Sequence, residues 1–251
     1  MNQSPKTTLI LLPGMVCDHA SWAPVIQGLE ALADIRVADY GNHDQFTAMA
    51  ESVLASAPGQ FALAGHSMGG RVALEICRLA PERVERLCLI ATEHTPKPDG
   101  EAGLNETRAR QGMLDLARAS GMQAMAEAWT PNLLASAHQN NDELNGRIIN
   151  MIAAQPVARL QSHINAGDSR PDSTDVLRQL SCQVLLIAGA EDKLRPAAVM
   201  AHMTPLIANC QFETIPDCGH MPMMEQPDTV GQLLFRWMNA ELNASQQQER
   251  L

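Results

Sequence analysis

Three residues far apart in this chain have the types that turn an alcohol into a nucleophile: Ser67, Asp192 and His220. A serine hydroxyl is inert near neutral pH unless a base takes its proton, and the base must be held in one tautomer by a third group. Ser67 stands in Gly65-His66-Ser67-Met68-Gly69-Gly70. The run before it, Phe61-Ala62-Leu63-Ala64, suits a buried strand, and Val72, Ala73, Ile76, Cys77, Leu79 and Ala80 after it follow a helical spacing. A strand-to-helix turn this sharp has no room for side chains at its flanks, so it needs glycine at 65 and 69. It also places Ser67 at a strained apex and points the first amides of the helix, with their partial positive charge, at the space beside the hydroxyl. An oxyanion is favoured there.

In parallel α/β sheets, sites lie at the carboxyl ends of strands. Asp192 follows the apolar run 182–189, and His220 follows the alternating run 210–215. Other groups compete. His19, His43 and His94 lie in loops near strand ends and read as solvated or structural histidines. Asp217, three residues before His220, suits a turn. Asp39 follows a strand but falls off the acid position by element order.

These side chains must be carried by a sheet. Thr7-Thr8-Leu9-Ile10-Leu11-Leu12, closed by Pro13-Gly14, reads as a buried central strand. A helix is expected over 22–32 with Ser21 as its N-cap, then a strand over 34–39, a helix over 45–56, the Ser67 strand and helix, and a strand over 84–92. That alternation predicts a parallel sheet covered on both faces. It then stops. From 93 to about 180 no strand is expected; Thr95-Pro96-Lys97-Pro98-Asp99-Gly100 reads as a linker, followed by helices over 101–120, 121–129, 132–138, 142–154 and 157–166. A long strandless stretch inside a domain reads as an insertion, and such insertions are often lids. The pattern resumes with the strand over 182–189, a helix over 195–206 begun by Pro196, the strand over 210–215 and a helix over 226–240. The tail from 245 to 251 is polar.

Bulk properties narrow the classes. A chain of 251 residues suits one large α/β domain with an insertion. The net charge of −10, with no basic stripe, argues against a nucleic-acid partner. No run approaches membrane-spanning length. The polar start, Met1 to Lys6, reads as no signal peptide, and six cysteines without C-x-x-C spacing read as buried thiols in a reducing cytoplasm. Eight histidines form no metal-ligand pattern, so no metal and no cofactor is expected.

Leu11-Leu12-Pro13-Gly14-Met15, Gly65-His66-Ser67-Met68-Gly69-Gly70, Gly189-Ala190-Glu191-Asp192 and Gly219-His220-Met221-Pro222 together resemble the α/β-hydrolase superfamily over nearly the whole chain. Pro13 departs from the histidine usual before that first glycine. The order Ser67, Asp192, His220 is the family's order. The resemblance implies an α/β-hydrolase fold: about six mostly parallel strands with helices on both faces, a core formed by 1–94 and 175–251, and a helical lid inserted over 95–174. It implies a serine hydrolase that cleaves a small carboxylic ester through an acyl-enzyme, with the backbone amides of Met15 and Met68 as the oxyanion hole. Lactones or enol-lactones, thioesters and C–C bonds beside a ketone remain substrates of the same residues, and a binding relative without turnover is the rival class. His66 is expected to pack below the turn. Glu93, after the strand that follows the elbow, is the alternative acid to Asp192 and, with Met221 and Trp129, a possible pocket residue. The expected partner is a small-molecule substrate, with the protein a monomer or homodimer.

Overall fold

The computed structural model describes residues 6–240; the remaining N-terminal residues and the polar tail lie outside them. Six strands, β1 (Thr7–Leu12), β2 (Ala33–Val37), β3 (Phe61–His66), β4 (Val84–Ile90), β5 (Gln183–Gly189) and β6 (Cys210–Ile215), form one sheet in the order β2-β1-β3-β4-β5-β6. Every neighbouring pair is parallel. This is the α/β-hydrolase architecture expected above. Alternation along the strands explains their unbroken apolar runs. Leu12, Leu63, Leu87 and Leu186 pack on one face, and Leu11, Ala62, Cys88 and Leu185 pack on the other. Side chains of period two reach both faces, and both are covered.

The first face is covered by α2 (Phe46–Ser56), α3 (Met68–Leu79) and α7 (Thr174–Gln179); the second by α1 (His19–Leu29) and α10 (Pro227–Asn239). Helix α1 begins a turn earlier than expected. Its N-cap is Asp18, which accepts from the Ala20 amide at 2.8 Å, and Ser21 lies inside it, its hydroxyl donating to the Asp18 carbonyl at 2.7 Å. The expected final helix stands as α10, and a short extra helix, α9 (Pro222–Glu225), precedes it in a stretch where no helix was expected; Pro227 keeps the two apart. The helix expected over 195–206 shrinks to α8 (Ala197–Ala201) and a 3-10 turn, with Pro205 in that turn.

Between β4 and β5 lie only helices: α4 (Gly100–Trp129), α5 (Asp142–Ala153), α6 (Val157–Asp168) and α7. The helices expected over 101–120 and 121–129 run head to tail as α4, hinged at Gly121, whose φ of 87° only glycine adopts readily. No helix forms over 132–138. Instead, 3-10 turns at Thr130–Asn132 and Ser136–His138 flank an irregular stretch, because the Leu133 carbonyl and Ala135 amide are engaged by the His220 loop: Leu133 accepts from the His220 amide at 2.7 Å, and Ala135 donates to Glu225 at 2.8 Å. A continuing helix would have consumed both groups. The segment has its own core, in which Leu114, Met125, Ile148, Ile152 and Leu160 pack against Val16, Met221 and Met224. Among the described residues no helix is long and apolar enough to cross a membrane.

Candidate active site

The turn from β3 to α3 holds Ser67 at φ 52° and ψ −114°, a conformation that costs a non-glycine residue of order 1–3 kcal/mol. The surroundings enforce it. The Ser67 amide donates to the Ile90 carbonyl at 2.8 Å, and the Ser67 carbonyl accepts from Thr92 Oγ1 at 2.7 Å. A Cβ on Gly65 would stand 2.5 Å from the Gly69 carbonyl oxygen, and one on Gly69 would stand 2.0 Å from that of Leu12. Both glycines are steric requirements of the turn.

Asp192 and His220 arrive at the same place on loops after β5 and β6. His220 Nε2 lies 2.9 Å from Ser67 Oγ, and its Nδ1 lies 2.8 Å from Asp192 Oδ2. A carboxylate only accepts, so Nδ1 carries the proton and Nε2 is free to accept from the serine hydroxyl. The other Asp192 oxygen accepts from the Leu194 and Arg195 amides at 2.8 and 2.9 Å. Burial pushes the Asp192 carboxyl up. The charge and hydrogen bond of His220 and these two amides outweigh that, holding it below the usual carboxylate range. Asp192 therefore stays ionised against the imidazole.

Met68 is the first residue of α3, so its amide has no intrahelical acceptor. Among the described residues the Met15 amide has none either. Val16 beside it sits at φ 50°, unusual for a β-branched residue. Its amide donates to Nδ1 of His163 on α6 at 3.0 Å. Burial, with Arg159 adding to it and Asp39 opposing, lowers the His163 pKa to about 4, so the ring is neutral. Its Nε2–H is buried without an acceptor among the described residues.

Other positions are filled differently than their residue types suggest. His66 is buried and donates from Nε2 to the His220 carbonyl at 2.7 Å; burial and the nearby His220 lower its pKa to about 3. His94 is buried, whereas His19 and His43 are exposed. Asp39 pairs with Arg159 at 3.1 Å, and Asp217 occupies a turn at φ 48°. Glu93 does not reach the imidazole and is not among the cavity-lining residues. Its carboxylate meets Arg71, Arg195 and Arg170 at 3.3, 3.1 and 3.6 Å. Glu225 holds the His220 loop: it accepts from the amides of Gly219, Met221 and Ala135 at 2.9, 3.0 and 2.8 Å. Burial raises its pKa despite those three donors.

A cavity of about 500 Å³ opens over Ser67 and His220. Met15, Met68, Met221, Trp129, Met113 and Leu116 give it an apolar wall, and Arg71, Arg110, Arg170 and Arg195 give it a charged one. Met221 and Trp129 were expected there. The arginines and His163 were not, nor was the hold of Glu225 on the His220 loop, although Arg71, four residues after Ser67 on the helix that Ser67 caps, carried a positional signal.

The alpha/beta hydrolase family model matches residues 9–233. A pimeloyl-[acyl-carrier protein] methyl ester esterase of Nitrosomonas europaea is 26% identical over 240 residues, spanning 88% of this chain and 91% of that protein. A thermophilic esterase from Thermogutta terrifontis superposes with a TM-score of 0.78 at 29% identity, over 94% of this chain and 90% of the other. The enol-lactonase of Burkholderia xenovorans LB400 superposes with a TM-score of 0.84 at 17% identity, over 96% and 94%, which shows a shared fold. The chain belongs to the alpha/beta hydrolase family. It is an enzyme of the carboxylic ester hydrolase type.

Proposed function

We propose that Ser67, His220 and Asp192 act as a catalytic triad that cleaves small carboxylic esters through an acyl-enzyme. The observation that carries this reading is the unbroken hydrogen-bond chain from Ser67 Oγ through both imidazole nitrogens to Asp192. His220 Nε2 takes the serine proton as Oγ bonds to the ester carbonyl carbon. The oxygen's developing charge is met by the Met15 and Met68 amides. His220 then gives its proton to the leaving alcohol as the C–O bond breaks. Water, deprotonated by the same nitrogen, attacks the acyl carbon; as the bond to Oγ breaks, His220 returns that proton to Oγ and the acid is released. Residues 95–174 act as a lid: their helices supply one wall of the cavity and shield it from water.

Lactones, thioesters and C–C bonds beside a ketone would use the same atoms. The ester reading is favoured because relatives that match most of the chain, among them the Nitrosomonas and Thermogutta proteins, are named for ester cleavage. p-Nitrophenyl acetate and butyrate are expected to be hydrolysed by the wild type, with kcat falling by roughly 10⁴-fold or more in Ser67→Ala. Undiminished turnover in that variant rejects the mechanism. A fluorophosphonate probe that fails to label Ser67 would favour a binding protein instead.

A further inference from the structure

The charged wall of the cavity is built from four elements: Arg71 on α3, Arg110 on α4, Arg170 after α6 and Arg195 after β5. Glu93 contacts three of these arginines. Glu106 lies 2.5 Å from Arg110 and 2.6 Å from Arg170, and Asp168 bridges Arg110 to Lys97 at 3.4 and 3.1 Å. Five cations thus face three carboxylates, in a chain whose net charge is −10. A network whose only task is to brace the fold would be matched in charge and would leave no buried donor unmet.

This one is unmatched on both counts. The Arg170 side chain is only 3% exposed, and its buried Nε–H has no acceptor among the described residues. Burial lowers the Arg71 pKa to about 9; Arg170 and Arg195 push the same way and Glu93 opposes them. Arg110 is lowered by burial and by the same two arginines, against Glu106 and Asp168. The carboxylates present do not neutralise the cluster, and the cavity beside it is the space where a further anion would. Guanidinium forks match carboxylate and phosphate oxygens in shape as well as charge.

We infer that the Arg71–Arg110–Arg170–Arg195 wall is a subsite for a second, anionic group of the substrate, a carboxylate or a phosphate. The enzyme then takes esters of small acids that carry a charge at the end away from the scissile bond. This inference rests on the hydrolase reading for its substrate and on the arginine wall alone for its anion.

Monomethyl adipate and dimethyl adipate share an acyl chain and differ in one charge. The wild type is expected to prefer the half-ester about tenfold or more in kcat/KM, mainly through KM, because hydrogen bonds to charged groups are the stronger kind. Arg195→Gln alters the most exposed of the four side chains and keeps the backbone amide that Asp192 uses; it is expected to bring the ratio towards one, as is Arg110→Gln. Arg195→Lys retains part of the preference. Circular dichroism verifies that each variant is folded.

Calorimetric titration of Ser67→Ala with adipate, with inorganic phosphate and with neutral adipamide reads the subsite without catalysis. Adipate binding that Arg195→Gln abolishes assigns a carboxylate; phosphate binding without adipate binding assigns a phosphate. Anion binding without hydrolysis keeps the subsite and rejects the hydrolase reading. Hydrolysis with equal kcat/KM for the two esters and no anion binding overturns the subsite alone. Failure of both measurements overturns it too.

Discussion

On the sheet side of the cavity, residues are held through backbone groups. Asp192 is fixed by the Leu194 and Arg195 amides, and Ser67 by the Ile90 carbonyl and Thr92. On the helical side, between β4 and β5, side chains hold side chains: Arg110, Arg170 and Glu106 brace one another, and His163 reaches across to the Val16 amide. Backbone positioning survives most substitutions and keeps reacting atoms within fractions of an ångström, as bond making requires. A wall of mutually braced side chains can be rewritten one residue at a time without disturbing the turn at Ser67. On the proposed reading, the difference separates chemistry from choice of substrate.

The comparison is tested most severely on the sheet side. Asp192→Asn preserves the shape of the loop but lets the imidazole take the wrong tautomer. Its kcat on p-nitrophenyl butyrate is expected to fall by roughly 10⁴-fold while the thermal transition stays within a few degrees. A loss below tenfold would mean that backbone placement of His220 suffices. Glu225, like Thr92 and His66, is a sheet-side case in which a side chain holds backbone. Glu225→Ala strips the acceptor from three amides and is expected to cost roughly 3 kcal/mol by urea denaturation. That corresponds to a fall in Tm of about 6–12 °C for a chain of this size.

His163 joins the two sides. His163→Leu leaves the Val16 amide buried without an acceptor, with an expected loss of about 1–2 kcal/mol of stability. His163→Asn, whose Oδ1 can accept in place of Nδ1, is expected to recover part of it. An unchanged urea midpoint in the leucine variant would show that the Val16 turn stands without help from α6.

The gentlest test is acid. His66 and His163 are held neutral, with folded values of about 3 and 4 against an ordinary 6.5. Between those limits the unfolded chain binds the protons that the folded chain refuses. Their stabilising contribution is therefore complete above about pH 6.5 and shrinks as pH falls towards 4 for His163 and towards 3 for His66. The slope is up to about 1.4 kcal/mol per pH unit for each histidine. His163→Leu is expected to flatten its share of the curve, and identical acid profiles for variant and wild type would contradict the assignment.

The contrast between the two sides also explains what could be read in advance. Gly65 and Gly69 announce a turn because only glycine fits where the structure leaves 2.5 and 2.0 Å for a Cβ. The strands announce themselves because burial on both faces demands unbroken apolar runs. Where local signals misled, a distant partner had intervened. The segment 132–138 has residues that tolerate a helix, but its Leu133 carbonyl and Ala135 amide are bonded to the His220 loop. Ser21 suits an N-cap, yet Asp18 three residues earlier takes that place.

Sequence alone determined the strand order in the chain, the strained serine turn, and the acid and histidine loops that follow later strands. Each of these is dictated by steric or solvation demands acting over a few neighbouring residues. Only the tertiary structure decided which arginines share a wall, that Glu93 braces them, and that His163 and Glu225 hold loops from afar. Those arrangements come from elements that meet in space after long excursions of the chain, and no periodicity records which of many equivalent charged residues will face each other.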